Sequence, residues 1–302
     1  MRIGVMIGGR QDLDGLLART QELEAQGFDS VWMPNVFGLD AMAALTVIGR
    51  ETERIELGTA VVPTYPRHPV TMAQQALTVQ AASGNRFALG IGLSHKFVIE
   101  DMWGMSFERP ALHMRDYLEA LLPLLRGEET HVENDSYRIN ATYGVPGAEA
   151  PPVLLAAMAP RMLALAGSVA DGTSLWMTGP DTIEDYIAPA LREASERAGR
   201  EAPRIVAAFP IAITDDADDA RERVGKMLAN YGGIPSYRAM LDREGAGGPG
   251  DVAILGDERA LDEALDRLEA MGVSDFSASI MPVDPEAEGR TAAYLVGRMG
   301  RA

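Results

Sequence analysis

Eight short runs of consecutive apolar residues punctuate this chain: Arg2–Ile7, Phe28–Met33, Ile55–Val62, Arg86–Gly92, Pro152–Ala156, Gly172–Trp176, Arg204–Ile213 and Val273–Ile280. Each is mainly apolar rather than alternating, as expected of strands buried on both faces. The segments between them mostly carry apolar residues at helical spacing. Helices are predicted over Asp12–Gln26, Asp40–Thr52, Val70–Ala82, Ala111–Arg126, from Arg161 onward, Asp181–Gly199 and Ala217–Asn230. Leu261, Ala264, Leu265, Leu268 and Met271 mark one face of another, and a last helix ends near Met299. The fourth interval is longer. It holds an irregular stretch, Met102–Arg109, and a small hairpin over Thr130–Ile139 with Asn134–Asp135 at its turn. Gly245–Gly250 reads as a mobile surface loop.

Strands that alternate with helices in this way build a parallel sheet. Eight of them close into a (β/α)8 barrel, here with an insertion after strand four and a Gly-rich loop after strand seven. One domain spanning 1–302 is expected. A doubly wound open sheet is the alternative. It would place a Gly-rich phosphate turn after strand one, where this chain reads GGRQDLDG rather than GxGxxG.

Composition then narrows the chemistry. The absence of cysteine excludes disulfides, thiolate metal sites and a cysteine nucleophile. A net charge of −17 repels phosphate backbones, so nucleic acid is not an expected partner. No apolar run is long enough to span a membrane, and Met1 leads straight into the first strand, so the cytoplasm is the expected location.

A barrel carries its chemistry on the loops after its strands. Those loops begin at Pro34, Pro63, Leu93, Ala157 and Met177. They hold no paired carboxylates, no Ser-His-Asp arrangement and no metal cluster, and the four histidines are scattered. They are rich in small and apolar residues, which suits a flat aromatic cofactor that brings its own chemistry. Ala156–Ala157–Met158 can lay backbone against a ring system or simply form a tight turn. The helix start at Pro160–Arg161 can receive a phosphate on free N–H groups. Trp32 and Trp176 are equally a pocket wall or core packing. Met102, Trp103, Met105 and Phe107 form an apolar loop suited to a lid or to a subunit contact.

Several pieces together are similar to the bacterial luciferase-like monooxygenase superfamily: FDSVWM at Phe28–Met33, Leu57–Val62 followed by Arg67–His68–Pro69, SGNR at Ser83–Arg86 running into LGIG at Leu89–Gly92, ERPALHMRDYLEALLPLL at Glu108–Leu125, Pro152–Ala157, and ADG at Ala170–Gly172. The chain most resembles the branch that uses coenzyme F420, a 5-deazaflavin. The resemblance implies an oxidoreductase that transfers a hydride between F420 and a small or medium apolar substrate. An FMN-dependent monooxygenase fed by a separate reductase is the alternative, and a non-catalytic flavin-binding relative is a third reading. The resemblance also implies a bulge at Ala60–Val61 behind the ring, with a non-proline cis peptide. Gly92–Leu93–Ser94 and Ala156–Ala157–Met158 would line the ring, Arg161, Thr178 and Gly179 the tail. Asn35 and Val36 stand where many deazaflavin enzymes place an acid and a histidine. Neither is an acid or base near neutral pH, so the expected reaction is reduction of an activated C=C or C=N bond, with His95, Glu100 or solvent as proton source. Trp32, Met102, Trp103 and Trp176 are the expected substrate pocket, and a homodimer is the expected assembly.

Overall fold

The computed structural model describes residues 1–8 and 11–300; Gly9 and Arg10, in the segment read above as GGRQDLDG, lie outside the described residues. The barrel strands are β1 (Arg2–Met6), β2 (Ser30–Met33), β3 (Glu56–Thr59, resuming at Val62–Pro63), β4 (Phe87–Gly92), β5 (Val153–Leu155), β6 (Gly172–Trp176), β7 (Arg204–Ile213) and β8 (Asp275–Ile280). Each pairs in parallel with the next, and β8 pairs with β1, so the sheet closes. The (β/α)8 expectation holds, and the open-sheet alternative falls with the closure.

The sequence supplies its own punctuation. Asp12, Asp40, Asp216 and Asp257 each accept a backbone N–H from the first turn of the helix that follows, the standard N-cap role of a short carboxylate. Pro69 opens the helix Pro69–Ser83, and Gly84 closes it at φ 63°, a left-handed position where glycine meets no Cβ penalty. The acidic run at Asp215–Asp219 is such a helix start.

Three features depart from the sequence reading. Gly245–Gly250 is not a free loop: Pro249 and Gly250 are buried, and a Cβ on Gly250 would stand 2.3 Å from the Arg221 carbonyl oxygen. The Asp251 carboxylate also accepts the Gly247 and Gly248 N–H groups at 2.8 and 3.1 Å. A helix at Pro235–Glu244 was not anticipated. Nor was a short strand, Ile254–Gly256, that extends the sheet beside the upper end of β7. Both follow β7, which is long enough, at 10 residues, to rise above its neighbours and carry extra structure. The hairpin after β4 forms as expected, from Thr130–Glu133 and Arg138–Ala141.

The barrel interior is layered. Trp32 is fully buried and packs with Ala88, Leu154 and Val206. Gly58 makes room for it, since a Cβ there would stand 2.2 Å from the indole. Below Trp32, at the amino ends of the strands, Arg204 binds Asp275 through two bonds of 2.6 and 2.8 Å and Glu56 at 2.7 Å. The ligand-bearing loops lie at the opposite end.

Candidate functional site

The site begins with a fault in β3. Leu57 and Gly58 stand opposite Phe87 and Ala88, but Ile91 is matched by Val62 rather than Val61. One extra residue therefore sits in β3 between these pairs, a β-bulge. The Ala60–Val61 peptide within it is cis. Thr59 repairs the interrupted ladder with its side chain: its Oγ1 donates to the Gly90 carbonyl at 2.7 Å and accepts the Gly90 N–H at 2.8 Å.

The LGIG sequence of β4 is what admits the bulge. A Cβ on Gly90 would stand 1.9 Å from the Thr59 carbonyl oxygen, and one on Gly92 would stand 2.6 Å from Val61 Cγ2 and 3.1 Å from Ala156 Cβ. Both glycines are needed for close approach, not for a special φ. Across from the bulge, Ala156 donates its N–H to the Ile91 carbonyl at 2.9 Å, and the Met158 carbonyl accepts the Tyr186 hydroxyl at 3.1 Å. Ser94 and Met177, the residues just beyond β4 and β6, adopt φ of 58° and 48°. Non-glycine residues rarely do so, and such positions concentrate at functional rims.

Between these elements lies a narrow cleft of about 60 Å³ that opens to solvent, smaller than a fully formed small-molecule site. Ala60 and Val61 form one wall, and Ala156, Ala157 and Met158 another. Met6, Ser174, Leu175, Trp176 and Ala208 complete the base, and Tyr237 overhangs from the helix Pro235–Glu244.

Six residues named from sequence thus meet in one place: Ala60, Val61, Ala156, Ala157, Met158 and Trp176. Gly92 lies directly against them. Others do not join. Trp32 belongs to the core beneath the bulge and does not wall the cleft. Met102 and Trp103 are exposed to solvent; the π-helical turn Val98–Met102 buries Val98 and Ile99 instead. None of these three expected pocket residues lines the cleft. Glu100 also stands away from the cleft, accepting the Phe107 N–H at 3.3 Å and facing Lys96 Nζ at 3.6 Å. His95 lies one layer back, its ring 5.7 Å from that of Tyr237. Burial holds its pKa below the ordinary 6.5. Asn35 spends its side-chain oxygen on the Ala41 N–H at 3.0 Å. Leu93 and Ser94 flank the cleft from the end of β4 without entering it.

The two helix starts expected near a cofactor tail differ. Pro160–Ser168 has no side-chain cap, and Arg161 is exposed beside it. At the other, Glu244 already accepts the N–H groups of Asp181 and Thr182 at 3.0 and 2.7 Å and packs against Gly179. Thr178 is buried there, its hydroxyl without a partner.

Sequence reading missed Met6, Ser174, Leu175, Ala208 and Tyr237. The first four are strand residues, and counting alternate positions back from the strand end at Trp176 would have reached Ser174. Nothing in the sequence marks Tyr237, because its helix belongs to the extra structure after β7.

The lining of this cleft suits one face of a flat ring system. The walls are small and apolar, the two β4 glycines remove side chains where a ring would lie close, and Trp176 Nε1 is buried without an acceptor. An unpaired buried donor is costly, and a ring carbonyl or nitrogen would satisfy it.

A family model described as luciferase-like monooxygenase matches residues 1–280. The 5,10-methylenetetrahydromethanopterin reductase of Methanolobus tindarius is 27% identical over 83% of this chain and 81% of its own. Among solved structures, the coenzyme F420-dependent tetrahydromethanopterin reductase of Methanopyrus kandleri superposes with a TM-score of 0.80, at 22% identity, over 98% of this chain and 97% of that one. The oxygenating constituent of 3,6-diketocamphane monooxygenase from Pseudomonas putida, solved with FMN, gives a TM-score of 0.75 at 15% identity, over 98% and 96%.

Proposed function

The chain belongs to the luciferase-like monooxygenase family, and we propose that it is a deazaflavin-dependent oxidoreductase. It moves a hydride between coenzyme F420 and a small or medium apolar substrate, in the direction that reduces an activated C=C or C=N bond. The observation that carries this reading is the cleft built around the Ala60–Val61 bulge, mostly apolar and nearly free of acid–base groups. Such a site positions a reactive ring rather than performing proton chemistry of its own. The solved tetrahydromethanopterin reductase named for F420, matched over 97% of its length, supports the choice of cofactor.

The residues divide the work. Ala60 and Val61, with Gly92 behind them, support one face of the ring. Ala156–Met158 line its opposite edge, and Trp176 Nε1 offers a hydrogen bond to a ring acceptor. The uncapped start of Pro160–Ser168, with Arg161, takes the anionic tail. Thr178 and Gly179 take part only when the Glu244 carboxylate withdraws. When bound, the reduced cofactor supplies the hydride. The protein's part is to hold the ring, orient the substrate over it and keep water out.

Titration of the apo-protein with F420 and with FMN, each oxidised and reduced, tests the proposal by fluorescence quenching. Micromolar binding of F420 is the expected result. Binding of FMN alone would replace this reading with the FMN monooxygenase of the same family, and binding of neither would favour a non-catalytic relative. Assembly as a homodimer is part of the proposal. Val36, Phe37, Leu39 and Val47 are exposed together after β2 and on its helix, and size-exclusion chromatography with light scattering would test it.

A further inference from the structure

Reduction of a double bond by hydride needs a proton as well. The hydride carries its electron pair to one carbon, and the pair of the broken π bond then resides on the neighbouring atom or on an attached oxygen or nitrogen. Among the described residues that line the cleft, Tyr237 alone has an ionisable side chain. We propose that Tyr237 is the catalytic acid of this site, its phenol donating a proton to the substrate atom that receives the displaced pair. In that step a C–H bond of the reduced cofactor would be given up as a C–H bond forms on the substrate, the π bond breaks, the phenol O–H bond breaks and a new bond to hydrogen forms on the acceptor. The phenolate recovers its proton from solvent at the open mouth. This assignment rests on the hydride-transfer reading above.

The position of Tyr237 is built, not incidental. Its helix is tied down beyond the cleft by two consecutive residues. Arg243 lies over the Tyr186 ring at 4.0 Å, and Tyr186 in turn holds the Met158 carbonyl of the opposite wall. Glu244 clamps the helix start at Asp181–Thr182. The ring itself is set edge-on against Tyr231 at 5.2 Å and tilted against His95 at 5.7 Å. A general acid has to be held by groups that fix its rotamer, and these ring and helix contacts do that. Burial, and the neighbouring Tyr231, push the phenol above its ordinary pKa. It is protonated at neutral pH, and it gives up its proton only to a strongly basic acceptor, such as the carbon or oxygen that receives the displaced pair. His95, kept neutral by burial, packs against the ring as a positioning residue. This explains why a histidine selected from sequence as a proton source stands one layer away from the cleft.

The decisive variant is Tyr237→Phe, which keeps the ring and its packing. Cyclohex-2-en-1-one serves as the probe, a small apolar molecule with an activated C=C bond. Expected are an affinity for F420 within twofold of wild type, a 10²- to 10⁴-fold slower single-turnover reduction, and loss of the solvent deuterium isotope effect on that step. A second readout needs no turnover. The carbonyl stretch of cyclohexenone bound to protein without reduced cofactor is expected at higher frequency in Tyr237→Phe, because the phenol hydrogen bond is gone. Equal turnover rates, or a carbonyl stretch that does not move, would overturn the assignment. Failure of the cofactor reading shows separately, as wild-type protein that F420 does not bind.

Discussion

The two ends of this barrel use the same eight strands in opposite ways. At the amino ends, four charged side chains meet inside the fold: Arg204 and Arg2 with Glu56 and Asp275. Asp275 is 1% exposed, and its remaining capacity is taken up by Ser274 Oγ at 2.8 Å. At the carboxyl ends the cleft carries no charge, and Trp176 Nε1 and Thr178 Oγ1 stay unpartnered. The charged cluster at one end is paired throughout; the cleft at the other leaves buried polar atoms open. Saturation suits an end that only holds the barrel shut. Open polar atoms and small residues suit the end that receives a ligand, which is where barrels of this type place their chemistry.

Four measurements sharpen or break that contrast, in order of expected size. Tyr237→Phe is the largest, with the rate loss given above and little change in stability. Arg204→Leu comes next. It leaves buried Asp275 with only the longer Arg2 ion pair at 3.4 Å, and removal of one partner of a buried pair costs about 3–5 kcal/mol. Urea unfolding is expected to show that loss, with cofactor affinity of the folded protein unchanged. A large change in affinity would mean that the two ends are not independent. Gly92→Val is third. Its side chain would press on Val61 and Ala156, and overpacking of this kind costs about 1–3 kcal/mol. Here stability and cofactor affinity are expected to fall together, with affinity dropping at least tenfold; intact binding would remove the bulge from the site.

The smallest effect is with pH. Burial lowers His95 and His113 below 6.5 in the folded protein, so the unfolded chain binds more protons just below that value. Stability is therefore complete above pH 6.5 and declines as pH falls from 6.5 toward the folded-state values. Urea midpoints across that window are expected to show the slope in wild type and to lose it in His95→Gln/His113→Gln. A slope that survives the double variant would belong to carboxylates instead.

Much of this was open to reading from the chain. The eight strands were visible as apolar runs, and the helix starts as Asp and Pro at the right places, because both are local signals. LGIG was visible as a motif, yet its purpose was not. Gly90 and Gly92 are explained only by Thr59, Val61 and Ala156, which reach them from neighbouring strands. Trp32 and Trp176 looked alike in sequence. Their fates diverge because Gly58 opens a hole for the first in the core, whereas the second ends β6 at the cleft. Met102 and Trp103 misled because an apolar loop can face inward or outward, and the turn at Val98–Met102 spends its buried side on Val98 and Ile99.

By itself the sequence determined the barrel, the end of it that carries the chemistry, and the small apolar character of the loops there. Those follow from periodicity and residue type, which act over a few positions. The tertiary structure alone decided which residues share the cleft, that Glu244 fills one helix start while the other stays open, and that Tyr237 reaches the site from a helix after β7. Each of these depends on residues far apart in the chain being brought within a few ångströms. No local pattern records such a distance, because it is set by how the closed sheet places its neighbours.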